Sequence, residues 1–280
     1  MAEKKIGAVF RSRVYSPNHI GTDAAILNEV CNQLRKRGCT VVSFNEDSLT
    51  EADVATGGMG LWLTMSRSPR ALKLLEVPDT CGVPVINAPT AIGHSRRGQM
   101  CTILTGHNIP FVDFIVSGTD ERVDDRLEAG GFGKCWVKQA DEHSRHKEDV
   151  AFVRHAAEAQ EILHEFFMRG IKKALICRHA EGEMIRFYGV RHTKFFSWFF
   201  PGQTDEEAAQ PRHTELGEKL AALCDAAAAA LELDIYGGDC MLTPKGDLLL
   251  IDINDWPSFA PCRQQAAKAI AKLVLTTLKR

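Results

Sequence analysis

Short apolar runs and amphipathic stretches alternate over the first part of the chain. Four runs have the length and composition of buried strands: Ile6–Phe10, Thr40–Phe44, Leu61–Met65 and Val83–Asn87. The stretch Thr22–Gly38 carries apolar residues at helical spacing between the first two runs, and Pro69–Glu76 does so between the last two. Alternation of strands and helices predicts a small domain built on a parallel sheet.

The middle of the chain has a different pattern, with strand-like segments separated by short polar turns. This pattern is typical of antiparallel pairing. The predicted strands are Val112–Val116, Cys135–Gln139, Ile162–Phe167, Ala174–Arg178 and Met184–Arg191. Helices are predicted at Ser95–His107, Glu148–Ala159, Glu215–Leu231 and Arg263–Lys279.

An apolar hairpin near the C-terminus carries two acids and an amide. Asp252 and Asn254 are two residues apart on one predicted strand, so both lie on the same face of it. The turn Pro244–Asp247 lets Asp239 on the preceding strand approach them. Carboxylate and amide oxygens suit a hard cation, which predicts a magnesium site. The alternative is that both acids are solvated at the end of a hairpin.

Composition narrows the class of protein. The 280 residues are 45% hydrophobic, enough for a large core, and the formal net charge is only −2. We therefore expect neither nucleic acid nor a membrane as a partner, and the oligomeric state stays open. Nine cysteines without a Cys-x-x-Cys pair, and an N-terminal apolar stretch too short for a signal peptide, predict reduced thiols and a cytoplasmic location.

The order of these signals resembles the ATP-grasp superfamily over nearly the whole chain. The run Val85-Ile86-Asn87-Ala88-Pro89 followed by Arg97 is similar to the family's Asn-x-Pro turn and basic helix. Trp136-Val137-Lys138 resembles the strand whose lysine reaches the nucleotide phosphates. Ile162–Phe167 resembles the hinge strand that meets the adenine, and Met184–Arg191 resembles the strand that ends in a phosphate-binding arginine. The hairpin acids fall where the family keeps its magnesium ligands.

The resemblance implies an α/β ATP-grasp fold with ATP and Mg²⁺ as cofactors. It implies a small N-terminal parallel α/β domain (1–94) followed by two α+β subdomains (95–167 and 168–280) that sandwich the nucleotide, the second holding the metal. The implied nucleotide-binding residues are Arg97, Lys138, Glu165, Phe166, Phe167 and Arg191. The implied metal ligands are Asp239, Asp252 and Asn254, and the implied catalytic residues are Lys138, Arg191 and Asp252.

Two departures from the family pattern affect the predicted chemistry. The segment 139–147 contains no glycine, where the family usually has a glycine-rich loop over the phosphates. Many carboxylate–amine ligases of the superfamily have a glycine at the position of Ser258. The Asp-Ile-Asn and Ser-Phe pairs around it look more like the inositol phosphate kinase branches.

The resemblance therefore favours a kinase that phosphorylates a hydroxyl of a small anionic substrate, such as an inositol phosphate or a sugar phosphate. One alternative is a carboxylate–amine ligase that acts through an acylphosphate. A second alternative, suggested by the glycine-free loop, is an ATP-binding regulatory protein that has no catalytic turnover.

Cationic residues follow several predicted strands, and ligands of α/β sheets gather at the carboxyl ends of strands. Guanidinium groups match carboxylate and phosphate oxygens, so an anionic substrate is expected there. The predicted substrate-binding residues are Arg11, Arg13, His19, Arg67, Arg70, Lys194, Ser258 and Arg263. The alternative is a set of ordinary solvated loops.

Overall fold

The computed structural model describes residues 5–15, 20–56, 58–141, 147–202 and 212–279. His19 and most of the glycine-free segment 139–147 lie outside these ranges. The strands are β1 Lys5–Phe10, β2 Thr40–Asn45, β3 Leu61–Thr64, β4 Val85–Ile86, β5 Phe114–Gly118, β6 Cys135–Gln139, β7 Val150–Val153, β8 Lys173–Arg178, β9 Glu183–Val190, β10 Phe196–Phe199, β11 Ile235–Leu242 and β12 Leu248–Asp255. The helices are α1 Ile20–Arg35, α2 Glu51–Thr56, α3 Pro69–Thr80, α4 Pro89–His94, α5 Arg97–Gly106, α6 Asp124–Ala129, α7 Ala156–Met168, α8 Arg212–Ala230 and α9 Arg263–Thr277.

The strands pair into a parallel sheet and sheets with antiparallel pairing. The N-terminal sheet has the order β2-β1-β3-β4 and is parallel throughout, as the sequence predicts. The sheet of the middle region has the order β5-β8-β6-β7 and is antiparallel. The remaining sheet has the order β10-β9-β11-β12, in which β9 and β10 pair antiparallel.

The chain divides into two compact units. The first unit comprises Met1–Gly93, Arg186–Gly238 and Ile253–Arg280, and the second comprises His94–Ile185 and Asp239–Asp252. The division into three domains at 94 and 167 stays a prediction. No helix of the described residues is long and apolar enough to span a membrane.

The core of the first unit follows from the apolar pattern of its N-terminal sequence. The interior residues of β1 are buried on both faces of the sheet, and the apolar face of α1 is buried against the same core as α9. Gly7 is required on β1, since a Cβ at this position would lie 2.3 Å from the Trp62 ring. The close approach of the Trp62 indole therefore depends on a residue without a side chain.

In the second unit, two predicted elements are wrong. The residues predicted as the hinge strand, Ile162–Phe167, belong to the helix α7, and the predicted helix Glu148–Ala159 instead contains the strand β7. The buried positions Ala156, Ala159, Leu163 and Phe166 repeat every three or four residues, so the helical period runs through the supposed strand.

The side chain of Asn87 joins two strands of the first unit. Its Nδ2 donates to the carbonyl of Ile235 at 2.8 Å, and its Oδ1 accepts from the amides of Asp234 and Ile235, both at 2.9 Å. Asn87 is 1% exposed, so water does not replace these bonds. The amide thus satisfies backbone groups at the start of β11 that would otherwise be buried without partners.

We expect Asn87→Ala to lower the free energy of unfolding by about 2–4 kcal/mol, because it leaves buried backbone groups unsatisfied. Urea unfolding followed by circular dichroism measures this. The matched control is Asn45→Ala, which removes an exposed amide that accepts one backbone N–H and should cost less than about 1 kcal/mol. Equal losses in the two variants would contradict the role assigned to Asn87.

Candidate functional site

The first unit buries two carboxylates at the ends of strands. Glu46 follows β2 and Asp255 is the last residue of β12, and neither has exposed surface. A buried carboxylate is costly unless donors or cations surround it. Both have such partners.

Glu46 holds the loops that follow β1 and β3. Its Oε2 accepts from the amides of Arg67 at 2.9 Å and Ser68 at 2.8 Å, and its Oε1 accepts from the amide of Ser12. These amides would otherwise attract another anion, since Ser68 is the N-cap residue of α3. The carboxylate of Glu46 accepts from all three amides and thereby fixes both loops.

Asp255 lies between two guanidinium groups. Its Oδ2 is 3.5 Å from Nη2 of Arg11, and its Oδ1 is 3.3 Å from Nη2 of Arg67. Arg11 also binds Asp23 at 2.8 Å and donates from Nε to the Met65 carbonyl. Burial, and then the charge of Arg11, lower the pKa of Arg67 to about 10, while Asp255 and Asp23 act in the opposite direction.

The loop after β3 contains hydrogen-bond donors that have no acceptor among the described residues. Ser66 Oγ and Arg67 Nε are buried, and neither has a hydrogen-bond partner within the described part of the chain. An unsatisfied buried donor costs roughly 1–3 kcal/mol.

The other predicted substrate residues fall into different surroundings. Arg70 donates to the carbonyls of Glu46, Asp47 and Leu49, so its guanidinium anchors the loop after β2. Arg13 and Lys194 are exposed, and Ser258 and Arg263 are half-buried. These four belong to the first unit.

One face of the second unit's sheet carries the predicted phosphate-binding lysine. Cys135 and Val137 of β6 point into the core with α6 and α7, so Trp136 and Lys138 lie on the opposite face. Trp136 pairs with Phe152 on β7 and with Cys177 on β8. Trp136 is 37% exposed and Phe152 39%, which is unusual for such large rings.

The structure brings Lys138, Arg97 and Asp252 into one electrostatic neighbourhood around two buried thiols. Burial raises the pKa of Cys177 to about 11, with Lys138 and Arg97 lowering it and Asp252 raising it. Burial also raises the pKa of Cys101 well above its usual range, and the same three charged groups act on it. Two predicted phosphate ligands and a predicted metal ligand, distant in sequence, thus act on the same two thiols of this unit.

The predicted metal ligands lie on neighbouring strands, Asp239 on β11 and the other two on β12. Asp252 and Asn254 are half-buried while Ile253 between them is fully buried, as the predicted alternation requires. The described residues contain no cluster of three or more His, Cys, Asp or Glu suited to a metal. Two carboxylates and an amide still match the oxygen donors that Mg²⁺ takes together with water or phosphate.

The predicted hinge residues Glu165, Phe166 and Phe167 need correction. All three lie in the last turns of α7, where their carbonyls accept from the residues that end the helix, and Phe166 is buried in the core. Backbone groups used in this way are not available to an adenine ring. Arg191, the predicted phosphate ligand, follows β9 in the first unit, where its Nε lies 3.6 Å from Asp225.

Sequence reasoning missed the segment 179–182 between β8 and β9. His179 in this segment accepts at Nδ1 from Nε1 of Trp136 at 3.2 Å and lies 5.3 Å from the Phe152 ring. Glu181 follows, paired with Lys134 at 2.9 Å. The available signal was the polar turn Glu181-Gly182-Glu183 between two clear strands.

Comparison with known proteins identifies the architecture. No family model matches the chain, and no curated protein matches it. D-alanyl-alanine synthetase A from Vibrio cholerae superposes with a TM-score of 0.74 at 12% identity, covering 100% of both chains. The chain has the ATP-grasp fold.

Two further solved structures support this result. D-alanine–D-alanine ligase from Bacillus anthracis gives a TM-score of 0.73 at 16% identity, covering 99% of this chain and 97% of the ligase. A structure of that ligase complexed with ATP gives a TM-score of 0.71 at 16% identity, covering 99% of this chain and 98% of the ligase. The ATP-grasp fold predicted from the sequence is confirmed.

We expect Asp255→Asn to lower the free energy of unfolding by about 3–5 kcal/mol, because it leaves two buried guanidinium groups without their shared charge. Urea unfolding checks this value. The control is Asp225→Asn at the ion pair with Arg191, where the 61% exposed carboxylate should contribute less than about 1 kcal/mol. A loss at Asp255 no greater than at Asp225 would contradict the central role of this carboxylate.

Proposed function

We propose that the protein is a Mg²⁺- and ATP-dependent carboxylate–amine ligase. The ATP-grasp fold carries the proposal, and the charges of Lys138, Arg97 and Asp252 in its second unit, which all act on the same two buried thiols, support it. Ligases among the structural neighbours favour this alternative over the kinase predicted from Ser258 and its surroundings.

The charged groups of the second unit suit a nucleotide triphosphate. Lys138 and Arg97 offer fixed cations for phosphate oxygens, and they need no glycine-rich loop to do so. Asp239, Asp252 and Asn254 would hold magnesium, which neutralises phosphate charge during transfer when it is bound. Arg191 stays a proposed phosphate ligand.

The segment 179–182 is the better candidate for the adenine hinge. It continues the strand β8, and its His179 contacts the exposed Trp136 ring, which lies on the same face of the sheet as Lys138. Glu181 and Glu183 at the end of this segment offer carboxylates for the ribose hydroxyls of a nucleotide. Aromatic rings next to a backbone turn suit a planar base.

The ligase reaction has a characteristic product stoichiometry. The carboxylate oxygen takes the γ-phosphoryl group of ATP, which releases ADP and forms an acylphosphate. The amine nitrogen then attacks the carbonyl carbon, and phosphate leaves as the C–N bond forms. Each amide therefore yields one ADP and one inorganic phosphate, whereas a kinase yields ADP and a phosphorylated alcohol.

We expect ADP and inorganic phosphate to appear in equal amounts only when a carboxylate and an amine are both present. The assay screens pairs of D- and L-amino acids beside inositol and its monophosphates, with coupled ADP and phosphate detection. Hydroxylamine as the amine should give a hydroxamate, which reports the activated carboxylate. ADP without free phosphate on an alcohol would instead establish the kinase, and tight ATP binding without turnover would establish the regulatory protein.

We expect Lys138→Met to raise the KM for ATP and to lower kcat, together by a factor of ten or more in kcat/KM, because a phosphate contact is lost in both ground and transition states. The matched control is Lys268→Met, which removes an exposed ammonium from α9. Steady-state kinetics in ATP checks both variants. Unchanged ATP kinetics in Lys138→Met would exclude this strand from the nucleotide site.

A further inference from the structure

A cavity of about 240 Å³ lies in the first unit, where α3 ends and β4 begins. Asp79 in the last turn of α3 lines it, and so do Thr276 and Thr277, the last two residues of α9. All its lining residues belong to the first unit, and none is among the residues predicted to bind nucleotide, metal or substrate. Ligands of α/β sheets gather at the carboxyl ends of strands, whereas this cavity lies at the start of one.

The polar groups that line the cavity accept hydrogen bonds. The hydroxyls of Thr276 and Thr277 donate to carbonyls one turn earlier in α9, at 2.9 and 3.1 Å. Their protons are therefore used within the helix, and only oxygen lone pairs remain for a ligand. The carboxylates of Asp79 and Asp234 also accept. A ligand that satisfies these groups has to be a hydrogen-bond donor.

The electrostatics of the cavity favour a positive charge. Asp234 is paired with His192, whose Nε2 lies 3.3 Å from its Oδ1. Asp79 has no ion pair within the described part of the chain: burial and then the charge of Glu76 raise its pKa, and no described cation offsets them. The C-terminal ends of α3 and α9 each add a partial negative charge.

The remaining wall of the cavity is apolar. Pro84, Val85, Ile86 and Leu273 line it, and the last three of these are buried. A cavity of roughly 150 Å³ is enough to hold a benzene molecule, so the space suits a small organic ligand better than a bare ion. The described residues also offer no cluster of three or more metal-binding side chains.

We propose that this cavity binds a small organic cation, with an ammonium group at Asp79 and an alkyl body against the apolar wall. This site is additional to the proposed ligase site and does not depend on it. Because the ligand binds the folded chain, it also stabilises the first unit by mass action.

The backbone around Asp234 is fixed before any ligand binds. Its amide donates to Oδ1 of Asn87 at 2.9 Å, and its carbonyl accepts from the amide of Arg191 at 2.7 Å. One wall of the cavity is therefore preorganised, which lowers the cost of binding.

The carboxylate of Asp79 lowers stability as long as no cation accompanies it. The folded state raises its pKa above the usual value, so its ionised form costs stability at every pH above that pKa. A bound ammonium removes this cost, because an opposite charge favours the ionised carboxylate.

Binding is tested on the full chain without nucleotide or metal, at constant ionic strength, so the result does not depend on ligase activity. Saturation-transfer NMR compares n-butylammonium with 1-butanol, which has a similar size and no charge. The test variant is Asp79→Asn. The control is Asp47→Asn, which changes an exposed carboxylate of the same unit that does not line the cavity. Carbon-13 NMR of labelled aspartate follows the pKa of Asp79.

We expect n-butylammonium to bind the wild type and Asp47→Asn equally, and to bind Asp79→Asn about ten-fold more weakly. Its binding should lower the pKa of Asp79 toward the usual range. Asp79→Asn should keep or raise the melting temperature at neutral pH, because the neutral amide removes an unpaired charge, so weaker binding does not reflect unfolding. No binding of n-butylammonium, equal binding of 1-butanol, wild-type affinity in Asp79→Asn, or an Asp79 pKa that saturating n-butylammonium leaves unchanged would overturn the proposal.

Discussion

The cost of burying charge organises the first unit. Asp255 has no exposed surface and is bound by Arg11 and Arg67, while Glu46 is equally buried and accepts from backbone amides of two loops. Without partners, each buried carboxylate would strongly destabilise the fold. Donors from separate strand ends offset this desolvation cost. Buried ion pairs and hydrogen bonds therefore hold together the loops after β1 and β3 and the end of β12.

In the second unit, the two faces of the sheet differ in polarity. The inner face of its sheet is apolar and packs on α6 and α7, which leaves Trp136, Phe152 and Lys138 on the other face. Large exposed rings beside a lysine are costly in water, and a face of this kind is typical of a site for a base and its phosphates. The buried thiols Cys101 and Cys177 lie beneath these charges, and their raised pKa values keep them as neutral packing groups.

Local sequence alone does not distinguish the kinase hypothesis from the ligase hypothesis. Ser258 and its neighbours favour a kinase, but a few residues near one strand end say little about the acceptor. The solved structures described above are ligases at 12–16% identity to this chain; this likeness establishes a shared fold, and the chemistry has to be argued from the site.

Sequence by itself determined the elements with strong local patterns. The parallel N-terminal sheet, the β6 strand that carries Lys138 and the C-terminal hairpin follow from apolar runs and turn residues, and the ATP-grasp fold follows from their order. Two elements of the second unit were misassigned, α7 and β7. The apolar pairs Ile162-Leu163 and Phe166-Phe167 of α7 also suit a strand, although its buried positions keep the helical period.

Only the tertiary structure decided which charged residues share an environment. Arg11 and Asp255 are 244 residues apart in sequence, and no local pattern indicates that one binds the other. The grouping of Arg97, Lys138 and Asp252 around two thiols has the same origin. Local patterns determine secondary structure because backbone preferences act over a few residues, whereas charge pairing depends on distances that exist only after the chain has folded.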